Sequence, residues 1–168
     1  MTAVKNALDR VLTVVCAVLF AALVLDVTWQ VFARQVLASP SGWSEELAKY
    51  LFIWLGLFAS ALVFGERGHI AMDVVVVRLP RSAQVVLAVL VQVAILVFTG
   101  MVLVWGGLLV SHLAWDQNLT GLPVTVGPLY LALPLSGALI AFYSLYHLVR
   151  VLTGAERPVE DETAHELV

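Results

Sequence analysis

Four long apolar runs, separated by short polar stretches, organise this chain. The first extends from about Val11 to Phe32, the second from about Glu45 to Phe64, the third from about Ala83 to Val110, and the fourth from about Pro128 to Val151. A helix needs about 20 apolar residues to cross a hydrocarbon core of about 30 Å, and each run supplies them. The pattern predicts an all-α integral membrane protein: one four-helix transmembrane domain over residues 1–152, followed by an acidic, disordered tail over residues 153–168. The third run reaches about 42 Å, so that helix is expected to tilt or protrude.

The polar punctuation between the runs refines this. Ser39-Pro40-Ser41-Gly42 supplies turn chemistry for the first loop. Ser44 reads as the N-cap of span 2, with Glu45 and Glu46 in its first turn, where negative charge complements the helix end. Lys49 follows Glu45 by four residues and Glu46 by three, so a helix-surface ion pair is available. Trp43 suits the bilayer interface. After Gly65-Glu66-Arg67-Gly68-His69, the apolar piece Ile70–Leu79 is too short to span and contains Asp73 and Arg78. It reads as a short interfacial helix between spans 2 and 3, stopped by Pro80, with Arg78 and Arg81 near lipid headgroups. His69 and Asp73, four residues apart, share one face of that region and are candidates to anchor it. Gln92, Thr99, Gly100, Gly106 and Gly107 mark places on span 3 where another helix could approach closely. Pro128 fits the first turn of span 4, whereas Pro134 lies deeper and predicts a kink. Tyr143, Tyr146 and His147, ahead of Arg150, read as an interfacial belt.

Composition agrees with membrane insertion. The chain has 168 residues, 61% hydrophobic and 12% charged, too few charges to cover the surface of a soluble domain. The net charge of −3 says little, because acidic residues crowd the last 13 positions. The nine basic residues are more informative. With a cytoplasmic N-terminus, the inside carries Lys5, Arg10, Arg67, Arg78, Arg81, Arg150 and Arg157, and the outside only Arg34 and Lys49. That is the positive-inside asymmetry, so both termini are expected in the cytoplasm. The first apolar run is too long for a signal peptide and reads as a retained span.

Candidate chemistry is sparse. There is no phosphate-binding glycine loop and no nucleophile with a base, so no enzymatic activity and no cofactor in this chain are expected. Cys16 stands alone inside the first run. Asp26, Gln30 and Arg34 repeat at intervals of four and therefore share a helix face. They read either as a local relay from Asp26 to Arg34 or as a proton or cation site. Two other functional classes meet an obstacle in the residues. A haem-bearing or respiratory membrane anchor needs two histidines at matching depth, and His112 and His147 fall at opposite ends of their spans. A small multidrug exporter needs a deeper carboxylate than Asp26.

One stretch carries a more specific signal. Arg34, then Trp43-Ser44-Glu45-Glu46-Leu47-Ala48-Lys49-Tyr50, then Trp54 and Gly56, then Gly68-His69-Ile70-Ala71-Met72-Asp73 together resemble the small membrane (Q-type) subunit of tripartite ATP-independent periplasmic (TRAP) transporters. Lys49 departs from the family, which more often has Arg, and bidentate carboxylate pairing is weaker for it. The resemblance implies a non-catalytic chain of the bacterial cytoplasmic (inner) membrane that binds no substrate itself. Its partners would be a large membrane subunit, which holds the substrate and sodium sites, and a periplasmic binding protein that delivers an organic acid; no nucleic acid is involved. Within that frame Arg34, Trp43, Glu45, Glu46 and Lys49 are expected to form an outer ion network at a subunit interface.

Overall fold

The computed structural model describes residues 2–39, 41–65, 80–119 and 121–152. All regular structure among them is helical. Helix α1 covers Thr2–Gln35 and α2 covers Gly42–Gly65. The third span is composite: α3 at Arg81–Phe98, a π-helix at Thr99–Gly106, and α4 at Gly107–Leu113. The fourth is α5 at Val126–Tyr130, a turn at Leu131, and α6 at Ala132–Leu152. The four membrane-length stretches are Val4–Gln35, Gly42–Gly65, Ala83–Leu113 and Val126–Val151. The polar start of the chain belongs to helix α1, where Lys5 and Asp9 pair across one turn at 2.7 Å. The interfacial helix expected at Ile70–Leu79 and the tail from residue 153 lie outside the described residues.

Span 4 is the centre of the bundle. It packs against α2 on one side and against span 3 on the other, while α1 packs along α2. Of its most apolar stretch 39% is buried, against 11%, 11% and 6% for spans 1, 2 and 3, so span 4 holds the others together. Leu12, Phe58, Ala61, Ile140 and Tyr143 form the core where α1, α2 and α6 meet. The close approach expected at Gly107 is present: a Cβ there would lie 2.8 Å from Leu133 Cβ and from Pro134 Cδ. Gly137 is tighter still, 2.6 Å from Leu103 Cβ. In hydrocarbon, where helices gain nothing from hiding apolar surface from lipid, such backbone proximity is a main source of attraction.

Two departures from regular α-helix have local causes. Leu131 N–H bonds the Pro128 carbonyl at 3.2 Å, one residue short of α spacing, and Pro134 has no N–H to offer Tyr130. The expected kink is therefore a break at Leu131 that frees nearby carbonyls. In span 3 the Thr99 hydroxyl bonds the carbonyls of Ile95 at 2.8 Å and Leu96 at 3.2 Å, competing with the backbone ladder where the wider π coil begins.

Candidate functional site

At the end of the bundle that carries the loops, the expected outer cluster is assembled differently from an ion network. Helix α2 begins at Gly42, so Ser44 is inside its first turn and not at the cap. Ser44 is fully buried, its Oγ donates to the Ser41 carbonyl at 3.0 Å, and the two serine hydroxyls lie 2.6 Å apart. The reason is that Ser41, not Ser44, precedes the first helical residue, and the pair of hydroxyls satisfies the turn. Glu46 accepts the Gly121 N–H at 2.9 Å through Oε2, which ties the loop between spans 3 and 4 to the start of span 2. Space is tight there: a Cβ on Gly121 would meet Trp43 Cα at 3.0 Å and Gly42 O at 3.1 Å, so a larger residue would need this backbone to give by a few tenths of an ångström. Arg34, Trp43, Glu45 and Lys49 are all exposed. Among the described residues the one ion pair within 4.0 Å is Lys5–Asp9, so no such pair joins Arg34, Glu45, Glu46 and Lys49.

Carbonyls flanking the break in span 4 accept side-chain donors at this same end. Trp54 Nε1–H donates to the Leu129 carbonyl at 2.9 Å, and Ser111 Oγ–H to the Gly127 carbonyl at 2.8 Å. The loop itself folds back through an antiparallel bridge between Asn118 and Thr125, with Val126 N–H on the Gln117 carbonyl at 2.8 Å. Trp115 and Trp43 remain exposed beside it.

The end carrying the start of α1 and the close of α6 holds a polar cluster that the sequence pattern did not reveal. Tyr143 and His147, expected in an interfacial belt with Tyr146, are buried between helices, as is Tyr146. The Tyr143 hydroxyl donates to Asp9 Oδ1 at 2.6 Å while Lys5 holds Oδ2, so α1 is fastened to α6 across the width of the bundle. His147 Nε2 lies 3.3 Å from the Gly65 carbonyl oxygen at the close of α2. Arg150 donates to the Tyr146 hydroxyl at 2.8 Å, and Ser144 Oγ donates to Gln92 Oε1 at 2.6 Å, reaching span 3. The belt reading failed because ring residues near a span end look alike whether they face lipid or protein. A signal was present, since Ala132, Ser136, Ile140, Tyr143 and His147 recur at helical spacing and form the buried stripe. The two histidines weighed as haem ligands lie far apart: His112 is exposed in the last turn of α4, at the loop end.

On α1, Asp26 is buried and Gln30 half-buried. Neither oxygen of Asp26 nor Gln30 Nε2 has a hydrogen-bond partner, so the relay from Asp26 to Arg34 is not made in this structure. His69, Asp73 and Arg78 lie outside the described residues; Arg81 opens helix α3.

The family model for the DctQ component of tripartite ATP-independent periplasmic transporters matches residues 23–154. The chain belongs to the DctQ family. Among its relatives, the sialic acid TRAP transporter small permease protein SiaQ of Vibrio cholerae is 30% identical over 152 residues, covering 89% of this chain and 86% of SiaQ. A putative TRAP transporter small permease protein of Haemophilus influenzae is 28% identical over 97 residues, 58% of this chain and 60% of that protein. The isethionate TRAP transporter permease protein DctMQ of Oleidesulfovibrio alaskensis is 31% identical over 124 residues, 71% of this chain but 19% of that longer protein. With four membrane-length helices, this DctQ chain is a multi-pass protein of the bacterial inner membrane.

Proposed function

We propose that this DctQ chain is the non-catalytic small subunit of a sodium-driven TRAP transporter for an organic acid, and that it braces the large membrane subunit without contacting substrate. The observation that carries this reading is the fused isethionate permease, in which the match to this chain fills 19% of one long polypeptide. A unit that matches part of a much longer permease in one protein and 86% of a small permease in another fits a fixed companion of the transport machinery. The relatives' named substrates, sialic acid and isethionate, are both organic acids, which supports the substrate class.

In this reading both termini are cytoplasmic, in keeping with the distribution of basic residues, and the loop end faces the periplasm. The exposed side chains Arg34, Trp43, Glu45 and Lys49 then form a surface for the periplasmic binding protein, and His69, Asp73, Arg78 and Arg81 anchor the opposite face. The experiment is co-expression with a large TRAP membrane subunit from the same genome, followed by reconstitution. Co-purification, and sodium-gradient uptake that needs both chains and the binding protein, are expected. Uptake by this chain alone, or full uptake by the large subunit without it, overturns the proposal. Charge reversal at Glu45 and Lys49 together is expected to weaken stimulation by the binding protein while leaving co-purification intact; unchanged stimulation removes the docking role.

A further inference from the structure

Asp26 stands apart among the described acids as the one that is buried without a partner. Asp9 has Lys5 and Tyr143, and Glu46 has Gly121. Asp26 is 7% exposed and neither carboxylate oxygen meets a donor. It lies on the buried side of α1, the side packed along α2, about 13 Å from the helix end at Gln35. One turn on, Gln30 presents an amide that is also unpartnered at Nε2. One further turn on, Arg34 is exposed. These three residues make a polar track from the loop end down to the acid.

A carboxylate withdrawn from water within a membrane span is stable only beside positive charge or when neutralised. The charged and titratable side chains in the same half of the two helices are Arg34 on α1 and Glu45, Glu46, Lys49 and Tyr50 on α2. None lies within 4.0 Å of Asp26 as an ion-pair partner or hydrogen-bonds to it. The closed surroundings of both oxygens admit only a compact partner. One carboxylate balances one positive charge, and the Gln30 amide, whose oxygen and nitrogen exchange places by a flip of the end group, can turn Oε1 toward it; a divalent ion would leave the seam charged.

We infer that Asp26 and Gln30 form a binding site for one small cation, a proton or a sodium ion, buried on the seam between α1 and α2. The site gives this chain a cation-responsive element of its own. Occupancy neutralises the seam and lets α1 seat on α2, and loss of the cation leaves a bare charge between them. Gln30 and Arg34 follow it along the same side of α1 toward the loop end. The inference does not depend on the scaffolding role, because it concerns this chain by itself.

Infrared difference spectroscopy of the full chain in phosphatidylcholine vesicles tests it, with pH, deuterium exchange and replacement of sodium by choline as the perturbations. A proton gives a protonated-carboxyl band that shifts in deuterium oxide. Sodium gives a carboxylate band that moves when sodium replaces choline at fixed pH. Either band supports the site if Asp26→Asn removes it, Gln30→Leu displaces it and Asp9→Asn leaves it in place. If Asp26→Asn alters neither band, Asp26 is an ion indifferent to both cations and the inference falls. Should Asp26→Asn yield no folded protein, isotope-labelled aspartate in a chain whose other four aspartates are replaced by asparagine reads Asp26 alone. No aspartate band that responds to deuterium or to sodium then overturns the inference equally.

Discussion

Spans 1 and 4 both carry polar side chains inside the membrane-length part of the fold, and they treat them in opposite ways. On span 4, Ser136, Tyr143, Ser144, Tyr146 and His147 are all buried and all bonded, most of them to another helix. On span 1, Thr13 and Thr28 bond only to their own backbone one turn back, and Asp26 and Gln30 keep unpartnered atoms. The difference follows from position. Span 4 has neighbours on two sides that can supply partners, whereas span 1 leans on α2 alone along most of its length. Polar groups at the centre therefore hold helices together, whereas on span 1, beyond Lys5 and Asp9 near its start, polar groups are left for ligands or for nothing.

Breaking the centre should cost most. Gly137→Leu forces a side chain where even a Cβ would lie 2.6 Å from Leu103 Cβ, and we expect about 3 kcal/mol of destabilisation, read as a large drop in thermal unfolding temperature in lipid nanodiscs. Gly100→Leu, where a Cβ meets nothing within 4 Å, is the matched control and should shift unfolding by less than about 0.5 kcal/mol. Cutting the bond from Tyr143 of span 4 to the start of span 1 comes next. Tyr143→Phe removes the donor to Asp9 and should cost about 1.5 kcal/mol, with earlier hydrogen exchange at residues 4–12 than in the parent chain. If those amides keep their protection, apolar packing around Leu12 is enough to seat helix α1 without that bond.

Glu46 separates hydrogen bonding from charge. Glu46→Ala should cost about 1 kcal/mol and speed proteolysis of the loop around Gly121, while Glu46→Gln, which keeps an acceptor oxygen, should restore most of the protection. Equal damage from both substitutions would mean that the negative charge, rather than the acceptor, holds the loop. The smallest effect is expected on the marginal helix. Thr28→Val removes a hydroxyl that only doubles up on the Val24 carbonyl, and unfolding should move by less than about 0.5 kcal/mol.

Much of this architecture was legible in the residues because lipid imposes a simple rule: a span must be long, apolar and self-satisfied in its backbone. The four runs, the proline break in span 4 and the close approach at Gly107 all follow from that rule or from side-chain size. The outer motif was legible as a family signature, yet its mechanics were not. Glu46 bonds a glycine 75 residues away, and Tyr143 an aspartate 134 residues away, and no local pattern marks either partner. The π-helix was equally hidden. Thr99, Gly100, Gly106 and Gly107 pointed to close packing, but the wider coil depends on competition for carbonyls that sequence spacing does not display.

The central placement of span 4 bears on biogenesis. It is the last of the four to emerge during synthesis, so the first three must wait in the bilayer without their common neighbour. Until it inserts, Asp9 and Gln92 lack the hydroxyls they hold in the finished bundle, and the groove beside Leu103 and Gly107 stands open to lipid. A nascent chain halted before Val126 would thus carry the hallmarks of an orphan that membrane proteases select.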